Sequence, residues 1–298
     1  MLLRVRDREL IVGERTLVMG VLNVTPDSFS DGGRYTALDA ALLRADALLA
    51  EGADILDIGG ESTRPGSAPV SADEEARRVV PVLEALRKRG TGYLCVDTTK
   101  ASVARAALDA GADIVNDVSA LRADVEMASV VARSGAAVVL MHSRGRAGFH
   151  EAPVYVDLMA EIVAELFAAL EIARAAGIEA SRTVLDPGIG FSKTAEHSVQ
   201  ALARVGELAV LGRPILVGTS NKSFLGHVTG RGVDARRDAT SASIVAAILG
   251  GAHLVRVHEP AAVRDAVSLA DALKRARHPV AGPLAAEPTR APLAEVRA

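Results

Sequence analysis

The sequence predicts a single (β/α)8 TIM barrel, an α/β fold in which eight parallel strands alternate with helices. Eight short runs rich in Val, Ile and Leu alternate with longer Ala-rich runs of helical period. Polar residues end most of the apolar runs, at the position where this fold carries its active sites. The 298 residues, 49% of them hydrophobic, are enough for one barrel of about 250 residues. A doubly wound open sheet is the alternative.

The predicted strands are parallel and buried on both faces, because nearly every position within them is apolar. They span residues 17–23, 54–59, 93–97, 113–117, 137–142, 183–186, 214–218 and 253–258. The segments between them repeat their apolar residues at helical spacing. They predict helices over residues 38–50, 72–88, 102–110, 124–134, 157–176, 197–211, 240–249 and 261–277.

Two flanking segments fall outside the predicted barrel, which occupies residues 17–278. Residues 1–16 read as a short N-terminal β-hairpin that caps the bottom of the barrel. Residues 279–298 contain four of the twelve prolines together with alanine and charged residues. This composition predicts a disordered C-terminal tail.

Composition argues against several classes of partner. The formal net charge is −3 and the basic residues are scattered, so the electrostatic footprint of a nucleic-acid-binding protein is missing. No apolar run approaches the ~20 residues that cross a bilayer, and the first ten residues lack the apolar core of a signal peptide. We therefore expect a cytoplasmic protein without membrane or nucleic-acid partners. Its one cysteine, Cys95, lies in an apolar run and is predicted to be a buried, inert thiol.

The polar residues at the strand ends divide into two chemical groups. Asp97, Asn116 and Asp186 suit a flat heterocycle with a donor-rich edge, because an ionised carboxylate accepts hydrogen bonds and cannot donate them. Arg256 and His258 are two residues apart on the last strand and suit a phosphate or diphosphate. Two glycine-containing loops, NVTPDSFSDGG after the first strand and GGESTRPGS after the second, should meet at the barrel mouth.

These motifs occur with VDT, VNDVS, LMH, LDPGIGF, KSF and VRVH in the order and spacing of one known family. Over about residues 17–275 the chain resembles dihydropteroate synthase, the folate-pathway enzyme that sulfonamides inhibit. The resemblance implies a (β/α)8 barrel, a transferase reaction, Mg²⁺ and a homodimer. The implied reaction joins 6-hydroxymethyl-7,8-dihydropterin diphosphate to 4-aminobenzoate and releases diphosphate. Departure of diphosphate first, leaving a pterin-stabilised cation, suits a weakly nucleophilic aromatic amine.

By motif position, the resemblance also implies a role for each site residue. The pterin would be held by Asp97, Asn116, Asp186 and Lys222, with the Arg256 guanidinium against its plane. Asn23 would contact Mg²⁺ and diphosphate, joined by Thr63, Arg64, Arg256 and His258. Phe29, Pro65 and Ser223 would form the 4-aminobenzoate site, and the start of a helix at Ser223 favours its carboxylate. Asp31 would stabilise the developing cation, so that Asp31, Lys222 and Arg256 form the catalytic group.

The roles of several residues, and two alternatives to the synthase, stay open. Asp57 and Asp117 could be ligand contacts or supports for them, while His142 and Lys193 favour structural roles. Asn221 stands where the family usually has arginine, which removes a cation near the 4-aminobenzoate pocket. Asn221 suggests a non-catalytic pterin-binding paralogue as one alternative to the synthase. A pterin-binding methyltransferase, which shares the barrel and the pterin pocket in related proteins, is the other.

Overall fold

The computed structural model describes residues 1–24, 34–61, 68–144 and 154–277. Eight parallel strands form one sheet. They are β3 (Leu17–Asn23), β4 (Ile55–Gly59), β5 (Tyr93–Asp97), β6 (Ile114–Asp117), β7 (Ala137–Met141), β8 (Thr183–Asp186), β9 (Leu216–Val217) and β10 (Leu254–Val257). Their order in the sheet is β8-β7-β6-β5-β4-β3-β10-β9. A parallel bridge between Leu185 and Ile215 joins the first strand of this order to the last. The predicted barrel is therefore confirmed, and the open sheet is wrong.

The strands are buried on both faces, as their apolar composition predicts. Side chains that point inward, such as Met19, Ile55 and Val139, fill the barrel interior, while outward-pointing ones pack against the helices. Cys95 belongs to the interior cluster and is fully buried. Burial raises the pKa of its thiol well above the ordinary value, so the predicted inert thiol agrees with its surroundings.

The helices follow the predicted alternation. Their bounds are α1 (Arg34–Ala50), α2 (Ala72–Lys88), α3 (Ala101–Asp109), α4 (Met127–Ser134), α5 (Leu158–Ala175), α6 (Ala195–Ala203), α7 (Ser223–Thr229), α8 (Arg237–Leu249) and α9 (Pro260–Arg277). The predicted helix 197–211 is wrong in one respect, because α6 ends at Ala203 and a 3₁₀ segment spans Val205–Leu211. Gly206 lies within that stretch, and glycine disfavours a helix interior.

The N-terminal hairpin closes the end of the barrel opposite the predicted site. Strands β1 (Leu2–Val5) and β2 (Arg8–Ile11) pair antiparallel. Leu3, Val5 and Val12 are buried in the same cluster as the barrel interior. The hairpin thus excludes water from the bottom layer of the barrel, which confirms the predicted cap.

Some predictions fall on residues 25–33, 62–67, 145–153 and 278–298, which lie outside the described part of the chain. The disordered tail is one of them and stays a prediction. Within the described residues, no helix combines the length and the low polarity that a membrane crossing requires.

Candidate active site

Strand register brings the predicted polar residues to one end of the barrel. Asn23 pairs with Gly59, Gly59 with Asp97, and Asp97 with Asn116, so these residues stand at one level across four strands. Asp186 ends β8, paired with the last residue of β7. Because parallel strands share one direction, the carboxyl ends of β3 to β8 form the floor of a single pocket.

The centre of this pocket is an ion-paired cluster of Asp57, Asp97 and Arg256. Arg256 Nε donates to Asp57 Oδ2, and an Arg256 Nη donates to Asp97 Oδ2, both at 2.6 Å. The Asp57 side chain is fully buried, whereas the Arg256 side chain is 20% exposed. Asn116 Nδ2 also donates to Asp57 Oδ2, at 3.3 Å. The guanidinium is therefore oriented by two carboxylates from two neighbouring strands.

Two carboxylates share one guanidinium here, so one negative charge is incompletely matched. Burial raises the pKa of Asp97 to about 7, against the opposing effect of Arg256 and with a further rise from Asp57. Burial disfavours the charge on Arg256, but the two carboxylates outweigh it and raise its pKa. A ligand that offers hydrogen-bond donors at this point would relieve the excess of acceptors.

Asp186 and Lys222 form a second pair of charges in the pocket. Burial raises the pKa of Asp186 to about 6, although its Oδ1 accepts a hydrogen bond from the Gly188 amide at 2.7 Å. Burial lowers the pKa of Lys222 to about 8, and the nearby Arg256 charge adds to the effect. Lys222 Nζ lies 3.8 Å from the centroid of the Phe191 ring, a cation–π contact.

The residues predicted to bind diphosphate and 4-aminobenzoate are only partly described. Asn23 is half-buried at the end of β3. His258 Nδ1 lies 3.0 Å from Ser220 Oγ, which links the end of β10 to the loop after β9. Ser223 is exposed and begins α7. The helix has seven residues, and the Ser223 hydroxyl is the group predicted to meet the carboxylate of 4-aminobenzoate.

Five predicted site residues fall outside the described residues. They are Phe29, Asp31, Thr63, Arg64 and Pro65. Their roles stay predictions.

Two residues left open by the sequence have defined partners. Asp57 is part of the central cluster described above, so it supports Arg256 directly. Asp117 accepts hydrogen bonds from the Ser119 amide and hydroxyl and from the Leu121 amide, which shapes the turn after β6. The sequence signal for this role is a carboxylate inside an otherwise apolar strand, because a buried charge without a partner is costly.

A further group of charges escaped the sequence reasoning. The Lys100 ammonium contacts the carboxylates of Glu61 and Glu75, and Glu75 is only 1% exposed. Glu61 Oε1 also accepts from the Val70 amide at 3.1 Å. These contacts join the end of β4 to α2 and to the start of α3. Nothing in the spacing of the three residues along the chain indicates that they meet.

The described residues contain no group of three or more His, Cys, Asp or Glu side chains arranged to hold a metal ion. Mg²⁺ in phosphate-binding sites usually takes one or two protein oxygens and completes its shell with phosphate oxygens and water. The Asn23 side-chain oxygen, beside Gly59 at the pocket floor, is chemically suited to be such a ligand. The donor set therefore fits a metal shared with a bound diphosphate better than a metal held by protein alone.

The fold and the pocket define a barrel protein that binds a donor-rich ring, and comparison with known proteins agrees. The family profile of pterin binding enzymes matches residues 19–258. Dihydropteroate synthase of Bacillus subtilis (strain 168) is 43% identical over 260 residues, covering 87% of this chain and 89% of the relative. The chain belongs to the dihydropteroate synthase family.

Solved structures support the same assignment. The dihydropteroate synthase of Xanthomonas albilineans with 4-aminobenzoic acid superimposes with a TM-score of 0.85 at 44% identity, covering 92% of this chain and 99% of that one. The same enzyme in complex with 7,8-dihydropteroate has a TM-score of 0.83 at 42% identity, covering 92% and 99%. The sequence-based resemblance is confirmed.

Proposed function

We propose that this protein condenses 6-hydroxymethyl-7,8-dihydropterin diphosphate with 4-aminobenzoate to give 7,8-dihydropteroate and diphosphate. The observation that carries the proposal is the pocket at the strand ends, where Asp97, Asn116, Asp186, Lys222 and Arg256 converge. The family membership and the complexes of its relatives with 4-aminobenzoic acid and 7,8-dihydropteroate support it.

The pterin ring fits the acceptor-rich part of the pocket. Ionised Asp186 would accept hydrogen bonds from the amino and ring N–H groups of the pterin, and Asn116 can both donate and accept. The Lys222 ammonium would donate to a ring acceptor. Burial of these groups strengthens each polar contact, because the local dielectric constant is lower than that of water. The ring is thereby oriented with its methylene carbon toward the barrel mouth.

Arg256 would serve both halves of the first substrate. Two of its nitrogens donate to Asp57 and Asp97, which holds the guanidinium plane across the pocket. The side chain is part-exposed, so its plane can pack against the pterin and its outer edge can approach diphosphate. His258, with Thr63 and Arg64, would complete the diphosphate contacts. Asn23 would hold Mg²⁺, which neutralises charge on the leaving diphosphate.

The reaction breaks the bond between the pterin methylene carbon and the diphosphate oxygen and forms a bond from that carbon to the amine nitrogen. Departure of diphosphate first leaves its bonding electrons on oxygen and a cation on the pterin. The amine then attacks and releases one proton, so a strong general base is not required. Asp31 would stabilise the cation, because a placed carboxylate favours positive charge that appears during the reaction.

Phe29 and Pro65 would enclose the ring of 4-aminobenzoate, and the Ser223 hydroxyl would donate to its carboxylate. Asn221 has a positive φ of 58°, a conformation in which asparagine is favoured over most other residues. This backbone geometry gives a structural reason for Asn221 at the position where the family usually has arginine.

The test is direct assay of the purified protein with pterin diphosphate, Mg²⁺ and 4-aminobenzoate. We expect release of diphosphate together with formation of 7,8-dihydropteroate. Chromatography measures the formation of the product over time. Calorimetry that detects pterin binding without any turnover would instead favour a non-catalytic paralogue. Failure to bind pterin would contradict the proposal altogether.

We also propose that the protein is a cytoplasmic homodimer, as the family resemblance implies. Light scattering of the purified protein should give twice the mass of one chain. A concentration-independent monomer would contradict the homodimer, and recovery in a membrane or secreted fraction would contradict the location.

A further inference from the structure

Lys193 stands beside the pterin pocket, in the loop after β8, and is not among the proposed substrate contacts. Its Nζ lies 2.9 Å from His142 Nδ1, 3.1 Å from the Gly188 carbonyl oxygen and 3.3 Å from the Phe191 carbonyl oxygen. An ammonium group has three N–H donors, so these acceptors use all of them. The side chain is partly buried.

The His142 ring is arranged to receive one of these hydrogen bonds. Burial lowers its pKa to about 2, with a further lowering from the charge on Lys193, so the ring is neutral. Its Nε2 lies 3.2 Å from Glu165 Oε2, a close contact outside hydrogen-bond geometry. A proton on Nε2 faces this carboxylate, which leaves Nδ1 as the acceptor for Lys193. The network therefore favours one tautomer of His142, and its three hydrogen bonds from Nζ require the charged form of Lys193.

The two carbonyls that Lys193 holds belong to the segment that supports the pterin contacts. The Gly188 amide donates to Asp186, and the Phe191 amide donates to the Gly188 carbonyl at 3.0 Å. Gly188 has a φ of +65°, and a Cβ there would lie 1.9 Å from the His142 carbonyl oxygen. The turn is thus pressed against the end of β7. The Lys222 ammonium in turn lies over the Phe191 ring in a cation–π contact.

We propose that Lys193 is a positioning residue for pterin binding. Its ammonium group holds residues 186–191 so that Asp186 is correctly oriented and the Phe191 ring supports Lys222. Lys193 itself does not touch the substrate in this scheme. The inference rests on the proposed function, since it assigns the pterin to Asp186 and Lys222.

Protonation of Lys193 provides a signature that simple packing would lack. The charged groups facing it are Asp186 on β8, Glu165 on α5, Arg144 after β7 and Lys222 after β9. Burial lowers the pKa of Lys193 to about 7, partly offset by Asp186 and Glu165. Loss of the proton removes one of the three donors. The other tautomer of His142 could restore the hydrogen bond by donating from Nδ1 to the neutral Lys193 amine. That tautomer would turn the Nε2 lone pair toward the Glu165 carboxylate, which is unfavourable.

The test compares wild-type protein with Lys193→Met, which keeps the length of the side chain as far as the ε carbon and removes the ammonium group. Lys88→Met is the matched control, because Lys88 is exposed at the end of α2. Calorimetry with pterin diphosphate and Mg²⁺, without 4-aminobenzoate, measures the pterin Kd. We expect Lys193→Met to raise this Kd roughly tenfold and Lys88→Met to leave it unchanged.

Steady-state kinetics should separate positioning of the pterin from a general loss of structure. Lys193→Met should raise the KM for pterin diphosphate while leaving the KM for 4-aminobenzoate and the saturated kcat within about twofold. The wild-type pterin affinity should fall above about pH 7, whereas in Lys193→Met the fall should move toward the pKa of Lys222, about 8.

If Lys193→Met does not fold, as judged by circular dichroism, Lys193→Gln serves as the second variant. Its amide retains two N–H donors, so we expect an intermediate rise in the pterin Kd. A wild-type Kd and pH profile in a folded variant would overturn this inference and leave the proposed function intact. Failure of the wild-type protein to bind pterin diphosphate would instead overturn the proposed function.

Discussion

Acidification should weaken pterin binding through Asp186. Ionised Asp186 accepts hydrogen bonds from the N–H groups of the pterin. Protonated Asp186 presents an O–H donor to these same N–H groups, which cannot accept it. Burial raises the pKa of Asp186 to about 6, so the carboxyl group gains its proton within a pH range in which most proteins remain folded. Affinity should therefore be greatest between this pKa and about pH 7, where Lys193 begins to lose its proton, and should decline as the pH falls through about 6.

The pKa of about 6 sets the expected magnitude. The ionised fraction of Asp186 is about nine tenths at about pH 7 and falls to about one tenth at about pH 5. If only the ionised form binds, Asp186 alone weakens binding about tenfold across this interval, equivalent to about 1.4 kcal/mol. Asp97, with a pKa raised to about 7, should add to the loss.

The assay is calorimetric titration of pterin diphosphate, with Mg²⁺, at a series of pH values. Asp186→Asn removes the charge while keeping the size of the side chain, so it should bind weakly at every pH and show a shallower pH dependence. Circular dichroism at each pH verifies that the fold persists. A wild-type Kd that changes less than about threefold over the interval would refute the reasoning.

The same pKa predicts the opposite trend for the stability of the ligand-free protein. The folded state binds the Asp186 proton more tightly than the unfolded state, since the pKa rises from 3.8 to about 6. The contribution of Asp186 to stability should therefore be present below about pH 4 and lost as the pH rises through about 6. Comparing urea denaturation of wild type and Asp186→Asn measures this contribution.

Three further changes test other parts of the site. Asp31→Ala should keep the affinity for pterin diphosphate and lower kcat on the order of a hundredfold, and an unchanged kcat would remove Asp31 from the mechanism. Asp57→Asn should lower the free energy of unfolding by about 1 to 2 kcal/mol in urea denaturation, because it weakens a charge-assisted hydrogen bond to Arg256 while Asp97 still pairs with the guanidinium; an effect near zero would contradict this. Gly188→Ala should destabilise the protein more than Gly212→Ala, measured by urea denaturation. The two glycines share a φ near +65° but only Gly188 faces a nearby atom, so equal losses would contradict the steric argument.

Much of the fold could be predicted from local patterns. The strand Leu17–Asn23 has the predicted bounds, because a continuous apolar run is a strong signal for a strand buried on both faces. The helix 197–211 was less predictable, since apolar spacing does not distinguish an α-helix from an α-helix followed by a 3₁₀ segment. Residues 1–16 were correctly predicted to contain a hairpin cap, and the pairing lies between Leu2–Val5 and Arg8–Ile11.

Local sequence patterns likewise predict some features of the candidate site and not others. Asp97, Asn116 and Asp186 could be predicted because each ends an apolar strand in a fold that carries its sites there. The partners of these residues could not, since hydrogen bonds depend on side-chain direction as well as on strand order. Arg256 was predicted as a ligand contact, and only the tertiary structure pairs it with Asp57 and Asp97.

By itself, the sequence determined the alternation of strands and helices, the end of the barrel that carries the chemistry, and the family. These properties depend on local periodicity and on motifs that are continuous in the chain. The tertiary structure alone decided which charges meet: the guanidinium of Arg256 between two carboxylates, the Lys222 ammonium over Phe191, and the Lys193 contact with His142. Such contacts join residues far apart in sequence, and the pKa shifts follow from burial that exists only after folding.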